Sequence, residues 1–382
     1  MQTKNQTHTF KNTIFLIILL FSKVQTINAQ AYTGTNTHFK YSIFVKDKSE
    51  FLLTIVSKKE NKMLFKSDIK FPEIEGKKVE LEHAVCLNDT FLLFTSVLNK
   101  KNEKYSAYVY KIYPDGKLNP TSTKIDEILN STKNNTGYFV FELSADSSSI
   151  LAYHAHDENI QGEIKGKIFY KTLDKNLKVI TTNEIDMPTS FEYCSAIRHK
   201  LIGNQNLLYI EKNYTKVEGE KDIIIKYNVC LYNSKDKKLY KASIMANEKY
   251  ILDIKIEMSD NEQLFCSGIY GIDKSFGGSW NEIRCLKGAF YYLLNKNNLS
   301  ENSHNSKDIQ ATLANDKLYR FHLTSSYVSN EKVNVTCQFQ NTLLTSFISD
   351  DTKTYEKVYG EYIYTTFDLK DKTNVLVKMS EK

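Results

Sequence analysis

One pattern of four short strands recurs along most of this 382-residue sequence and limits the folds that the chain can adopt. The most complete copy lies between residues 139 and 188. Its elements are alternating apolar positions at Phe139, Phe141 and Leu143, a turn at 144–147, a second strand at Ile150–Tyr153, a polar loop at Asp157–Lys165, and third and fourth strands at Lys167–Leu173 and Leu177–Ile185. Period-2 alternation with Asp, Asn, Ser and Gly at the breaks predicts antiparallel strands joined by hairpins.

Strands like the third one return at regular intervals. Their central residues are Val109, Ile168, Val229, Phe290 and Ile363, separated by 59, 61, 61 and 73 residues. We interpret the longer last interval as an inserted polar loop over Ser300–Asp316. An earlier hairpin within Tyr41–Ile69 brings the number of units to six.

Units of this kind cannot bury both faces alone, so they must stack against their neighbours. The simplest closed arrangement is an all-β fold, a β-propeller of about six four-stranded blades, forming a single domain over residues 31–382 with repeats of roughly 60 residues. A multi-sheet β-sandwich remains an alternative, because sandwiches share the same strand signals.

Residues 1–30 have the features of a signal peptide. Lys4 and Lys11 precede an apolar run over 14–21, and small residues follow at Ala29 and Ala31. Eight apolar residues are too few to span a bilayer, which takes roughly 20. We therefore expect an exported protein of the periplasm, cell surface or extracellular space, without a transmembrane segment after cleavage.

The charge pattern argues against nucleic-acid binding. Loss of residues 1–30 removes three lysines and no acids, so the formal net charge falls from +6 to +3. Lysines and acids are interspersed along the rest of the chain, and the only arginines are Arg198, Arg284 and Arg320. Such a surface has no basic footprint for nucleic acid and no polybasic membrane patch.

Several short segments carry a family resemblance. The Phe141–Leu151 segment F-x-L-S-x-D-x-S-x-I-L, the later Leu-Asp-Lys-Asn-Leu-Lys at 173–178 and the Ala-Phe-Tyr strand at 289–291 resemble the exported propeller-like proteins common in Bacteroidota. The resemblance covers most of Phe139–Phe367 and implies an exported propeller. It brings no activity and no cofactor with it.

Two of the six cysteines are candidates for a disulfide. Cys266 and Cys285 flank the segment Asp273–Asn281 almost symmetrically, so a hairpin centred near Ser275–Phe276 would place them opposite each other. Facing residues of a hairpin have Cα atoms roughly 4.5–5.5 Å apart, at the lower edge of the range for a disulfide. The other cysteines lie in apolar strands, where a thiol behaves as a small hydrophobe.

The segment His154-Ala155-His156-Asp157 most resembles a metal site. Alternation puts both imidazoles on one face of a strand, with a carboxylate beside them. A metal site would need further ligands from another strand, and no such residues stand out. A polar strand end running into a loop is the competing interpretation, so no metal and no cofactor is predicted.

The segment Phe276-Gly277-Gly278-Ser279-Trp280 contains the only tryptophan. An aromatic side chain on a glycine-rich loop can anchor a protein or carbohydrate partner. It can equally be a plug packed between blades. Trp280 and Phe276 are therefore the binding candidates.

No catalytic motif stands out. The sequence lacks a G-x-S-x-G elbow and a phosphate-binding glycine loop. We therefore predict a non-enzymatic exported propeller that recognises a protein or glycan partner through loops on one face. The alternative is a hydrolase acting on glycans or peptides, with carboxylates or the three arginines converging on the central channel.

Overall fold

The computed structural model describes residues 31–35, 38–47, 49–87, 90–113, 115–129, 137–144, 146–160, 162–203, 205–216, 223–245, 250–259, 263–271, 285–315, 318, 320–348 and 352–380. Within these ranges the chain is almost entirely β-structure. No helix in the described part of the chain is long and apolar enough to cross a membrane.

The first three sheets each consist of four consecutive antiparallel strands. Blade 1 contains β1 (Ala31–Thr35), β2 (Phe39–Asp47), β3 (Glu50–Ser57) and β4 (Met63–Lys70). Blade 2 contains β5 (Glu80–Leu87), β6 (Thr90–Asn99), β7 (Lys104–Ile112) and β8 (Thr123–Leu129). Blade 3 contains β9 (Tyr138–Leu143), β10 (Ser149–Ile160), β11 (Glu163–Asp174) and β12 (Val179–Asp186).

The other three sheets repeat the same order. Blade 4 contains β13 (Cys194–Ile202), β14 (Asn206–Lys216), β15 (Ile223–Asn233) and β16 (Lys238–Ile244). Blade 5 contains β17 (Tyr250–Met258), β18 (Leu264–Gly271), β19 (Leu286–Leu294) and β20 (Glu301–Asp308). The short helix α1 (Ile309–Leu313) leads to blade 6, with β21 (Phe321–Ser329), β22 (Lys332–Ile348), β23 (Thr352–Asp368) and β24 (Val375–Ser380).

The predicted six-bladed β-propeller is confirmed. The first strands of successive blades contact one another, through β1 with β5, β5 with β9, β9 with β13, and β17 with β21. Two ion pairs join β13 to β17 in the same way. The first strands therefore lie innermost, around the axis, and the fourth strands lie outermost. The five predicted strand centres Val109 to Ile363 all fall on third strands, those of blades 2 to 6.

The hydrophobic core is divided among the seams between consecutive blades. Five apolar clusters pack in these seams, one for each pair of successive blades. Between blades 2 and 3, for example, the Phe94 and Phe141 rings stack with centroids 4.4 Å apart, and both side chains are buried. Each buried aromatic side chain contributes roughly 2–3 kcal/mol, so the seams hold the blades in place.

Two sequence predictions about loops are wrong. Ser300–Asp316 contains the strand β20 and the helix α1 instead of an inserted loop, and the longest strands are β22 and β23, with 17 residues each. Asp157–Lys165 is mostly strand, because β10 continues to Ile160 and β11 begins at Glu163. Polar strands of this kind are paired by backbone hydrogen bonds to a neighbouring strand, which leaves no apolar alternation in the sequence.

Candidate functional site

A cavity of about 790 Å³ lies between the outer parts of blades 2 and 3. We call it the interblade cleft. Its walls are formed by β8 of blade 2 and by β10, β11 and β12 of blade 3, and they include Asp126, His154, His156, Glu158, Phe169, Lys171 and Thr182. A cavity of this size is typical of binding sites for small ligands.

Strand alternation brings these side chains together. His154 and His156 lie on the face of β10 that is directed at blade 2, and the register places His154 opposite Phe169 of β11. On the same face, Ile150 and Ala152 belong to the apolar seam with blade 2. The seam therefore changes from apolar to polar along β10, towards the hairpin that joins β10 to β11.

An ion cluster crosses the seam at the base of the cleft. Lys171 Nζ of blade 3 lies 2.6 Å from Asp126 Oδ1 of blade 2, and His154 Nε2 lies 3.5 Å from Asp126 Oδ2. The side chains of Asp126 and His154 are only 9% and 6% exposed. Burial lowers the pKa of His154 to about 4, and the nearby Asp126 carboxylate only partly opposes this effect. His154 is therefore neutral at pH 7.

A second ionic group lies nearer the hairpin. His156 Nε2 is 3.3 Å from Glu158 Oε1, and Lys167 Nζ is 3.3 Å from Glu158 Oε2. Lys167 also contacts Glu184 of the outermost strand, and that hydrogen bond is the main reason why the pKa of Lys167 is raised. Each carboxylate of this group therefore already has a cationic partner.

Three nearly parallel rings form one wall of the cleft. The Phe169 ring lies 4.9 Å from the His154 ring and 5.1 Å from the His156 ring, with interplanar angles of 12° and 9°. The two imidazoles are themselves 5.4 Å apart. His154 Nδ1 and His156 Nδ1 are buried and have no hydrogen-bond partner.

Asp157 does not join the two histidines. Alternation directs it to the opposite face of β10, where its Oδ1 accepts a hydrogen bond of 2.8 Å from the backbone N–H of Phe191. In the described ranges, no group of three or more His, Cys, Asp or Glu residues is placed to hold a metal ion. His154, His156 and Asp157 therefore do not form a set of metal ligands.

A second charged region lies on the inner strands. Arg198 Nη2 of blade 4 is 3.1 Å from Asp253 Oδ1 of blade 5, and Lys200 of blade 4 contacts Glu257 of blade 5. Lys255 Nζ of blade 5 donates a hydrogen bond of 2.6 Å to the Thr324 carbonyl of blade 6. These contacts link three successive inner strands around the axis.

Backbone irregularities support this arrangement. Arg198 has a φ of 57°, in the left-handed region, and lies in a β-bulge of β13. Bulges also interrupt the inner strands β5, β17 and β21. A bulge bends a strand and redirects side chains, which allows the inner strands to present charged groups towards one another.

Glu142 of the inner strand β9 lies near the same group. Burial raises the pKa of Glu142 to about 7, with Lys200 lowering it and Glu257 raising it further. Two carboxylates, Glu142 and Glu257, therefore interact with one lysine on the inner strands. Of the three arginines, Arg198 lies on an inner strand, Arg320 precedes β21, and Arg284 is outside the described residues.

The predicted disulfide between Cys266 and Cys285 is not formed. The register pairs Cys266 with Tyr292, whereas Cys285 follows the hairpin near the Gly271–Leu286 pair. The two cysteines are thus separated by about six residues along the strands, roughly 20 Å, and a disulfide needs Cα atoms within about 7 Å. All six cysteines are thiols, and Gln310 Nε2 lies 2.9 Å from Cys285 Sγ.

Trp280 and Phe276 lie outside the described residues. The strands that flank them, β18 and β19, form the second-to-third hairpin of blade 5.

Sequence reasoning missed most of the cleft and all of the axial pairs. It found His154 and His156 but not Asp126, which is contributed by another blade, or Lys171. Glu142 was detectable in principle. It is an acidic residue inside a short apolar strand, on the face opposite to Phe139, Phe141 and Leu143. Arg198 and Lys200 contact residues 55 and 57 positions away, and no local signal marks such partners.

No protein-family model and no curated protein matches the chain. Solved structures similar to it include the β-propeller domain of the trilobed protease from Pyrococcus furiosus, with 11% identity and a TM-score of 0.41 over 92% of this chain and 96% of that one. The WD40 domain of SCAP from fission yeast has 8% identity and a TM-score of 0.40 over 90% and 74%. Acylaminoacyl peptidase of Pyrococcus horikoshii has 12% identity and a TM-score of 0.42 over 91% and 52%.

Proposed function

We propose that this protein is an exported binding protein that holds its ligand in the interblade cleft and performs no catalysis there. The observation that carries the proposal is the cavity of about 790 Å³, whose two walls come from different blades. Rigid sheets with binding groups at their rim are the usual way in which propellers recognise partners.

The state of the cleft carboxylates supports binding over catalysis. Asp126 is paired with Lys171, and Glu158 is paired with Lys167. The pKa of Glu127 is lowered, chiefly by a hydrogen bond from Lys124. A hydrolase of the glycosidase type needs one protonated carboxyl group facing one ionised group. Ion-paired carboxylates are poor proton donors.

Export is the second part of the proposal. It is supported by the sequence of residues 1–30, which lie outside the described residues. N-terminal sequencing of the protein recovered from the native host tests it. We expect a mature chain that begins directly after Ala29 or Ala31 in the exported fraction, and an intact Met1 end in the cytoplasm would refute this part.

Whether the cleft is the binding site is tested by a bulky substitution that fills it. Thr182 lines the cavity and its side chain is exposed, so Thr182→Trp should obstruct the cleft without disturbing the core. Thr121→Trp is the matched control, because Thr121 is also exposed and does not line the cavity. We expect Thr182→Trp to abolish binding of the native partner and Thr121→Trp to retain it. Equal binding by both variants would place the binding site elsewhere.

A further inference from the structure

We propose that the interblade cleft recognises a neutral, hydroxyl-rich ligand, namely a short oligosaccharide. This inference rests on the proposed function, since it names the ligand class for the same site. It follows from the charges, the hydrogen-bonding groups and the rings of the cleft.

Four carboxylates line the cleft: Asp126, Glu127 and Glu158 each have a lysine partner, and Asp157 accepts a hydrogen bond from the Phe191 N–H. Asp126 is neutralised by Lys171 across the seam, at 2.6 Å, and Glu158 by Lys167 at 3.3 Å. An anionic ligand would be repelled by the carboxylates. A cationic ligand would compete with Lys171, Lys167 and Lys124 for carboxylates that these lysines already pair. A neutral ligand avoids both penalties.

The hydrogen-bonding groups of the cleft require a ligand that both donates and accepts. The carboxylates accept only, and the ammonium of Lys171 donates only, while the Thr182 hydroxyl does either. His154 Nδ1 and His156 Nδ1 are polar atoms of the cleft wall without a partner. Sugar hydroxyls meet all of these requirements.

The rings provide an apolar surface of suitable shape. Phe169 is partly exposed and lies parallel to both imidazoles, within 12°. The electron-rich face and flat shape of such rings suit the C–H face of a pyranose, while the charged groups around them engage its hydroxyls. The cavity volume fits a ligand larger than a single sugar ring.

Peptides are the main competing class of ligand. A peptide with basic side chains would use the carboxylates and the Phe169 ring instead, as in cation–π recognition. The carboxylates that such a peptide would need are already paired with Lys171 and Lys167. The observations therefore favour the oligosaccharide.

The test measures binding of defined probes by calorimetry to residues 31–382. The probes are neutral gluco-, manno-, xylo- and N-acetylglucosamine oligosaccharides, an oligogalacturonate and a lysine-rich peptide. Wild type, Thr182→Trp and Thr121→Trp are compared. We expect at least one neutral oligosaccharide to bind wild type and the Thr121→Trp control, and to bind Thr182→Trp at least tenfold more weakly.

The other outcomes separate the two proposals. If only the oligogalacturonate or the peptide binds, and Thr182→Trp weakens it, the ligand class is wrong and the cleft is still a binding site. If a neutral oligosaccharide binds all three proteins equally, the cleft is not the binding site and the proposed function fails with it. If no neutral oligosaccharide binds at millimolar concentration, the ligand class is overturned.

Discussion

Lys171 Nζ lies 2.6 Å from Asp126 Oδ1 and thereby joins the third strand of blade 3 to the outermost strand of blade 2. Asp126 is almost fully buried, so loss of the lysine alone leaves a poorly compensated carboxylate in the seam. We expect Lys171→Met to lower the free energy of unfolding by about 3 kcal/mol. Adding Asp126→Asn should recover part of this loss, because no buried charge then remains.

Urea denaturation of the two variants measures these differences. Lys165→Met is the control, because its pair with Glu163 is exposed and such pairs contribute at most about 1 kcal/mol. A Lys171→Met variant no less stable than Lys165→Met would show that the seam does not depend on this ion pair.

Glu142 should make the protein less stable at higher pH. Its folded-state pKa of about 7 exceeds its ordinary value of 4.5. Between these two values the folded protein keeps a proton that the unfolded chain has lost. The resulting stabilisation of the folded state is fully present below pH 4.5 and disappears as the pH rises to about 7. A pKa difference of this size corresponds to about 3 kcal/mol.

Glu142→Gln keeps the shape of the side chain and removes the proton equilibrium. Relative to wild type, the variant should gain stability between pH 5 and pH 8, as measured by thermal unfolding at both values. The same difference between the two proteins at pH 5 and pH 8 would contradict this account of Glu142.

His199 should make the protein less stable at lower pH. Its ring lies 4.1 Å from the Tyr153 ring, and its Nε2 is buried without a partner. Burial lowers the pKa of His199 from 6.5 to about 4. The unfolded chain therefore takes up a proton first, and stability is lost as the pH falls from 6.5 towards 4.

His199→Phe keeps the ring contact with Tyr153 and cannot be protonated. We expect a shallower loss of stability between pH 6.5 and 4.5 in this variant, followed by urea denaturation. Glu142 acts in the opposite direction over an overlapping pH range, so the effect of His199 is taken as the difference in stability between variant and wild type at each pH. A slope equal to that of wild type would mean that His199 does not titrate in this range.

The cysteines should remain reduced and unreactive. Cys266, Cys230 and Cys337 are fully buried, and burial raises the pKa of the Cys230 and Cys337 thiols to about 12. Thiolates are the reactive form, so these residues should react with a thiol reagent only after unfolding. Mass spectrometry of the alkylated native protein, without and with reductant, checks this. A mass that depends on the reductant would reveal a disulfide.

Trp280 provides a separate prediction, which rests on the sequence. If its side chain anchors a partner, Trp280→Ala should weaken partner binding and leave the melting temperature unchanged. A large drop in melting temperature would instead favour a plug between blades. Phe276→Ala, on the same segment, is the matched comparison.

The fold was predictable because its strongest signal is local. Strands such as Lys167–Leu173 alternate buried and partly exposed residues, and the spacing of such strands reveals the blades. Strand β20 was missed because its residues Glu301–Asp308 are mostly polar and partly exposed, so pairing with β19 rather than burial defines it.

The sites were less predictable because their residues come from different blades. His154 and His156 share a strand and could be recognised as a pair. Asp126, the partner of His154, lies on another sheet, and the predicted disulfide depended on a hairpin register that the sequence does not specify. Two cysteines placed symmetrically about a loop are compatible with several registers of the flanking strands. The buried face of each strand selects one register, and here it does not pair the two cysteines.

Every ladder of backbone hydrogen bonds described for this chain runs within a single blade, and in the described strands none is shared between two sheets. Neighbouring blades are joined chiefly by side-chain packing and a few ion pairs. Sliding or widening a seam therefore costs less than bending a blade. The interblade cleft lies on such a seam, so its width can change at little cost in free energy. A ligand that bridges blades 2 and 3 would reduce this motion and stiffen the propeller at that point.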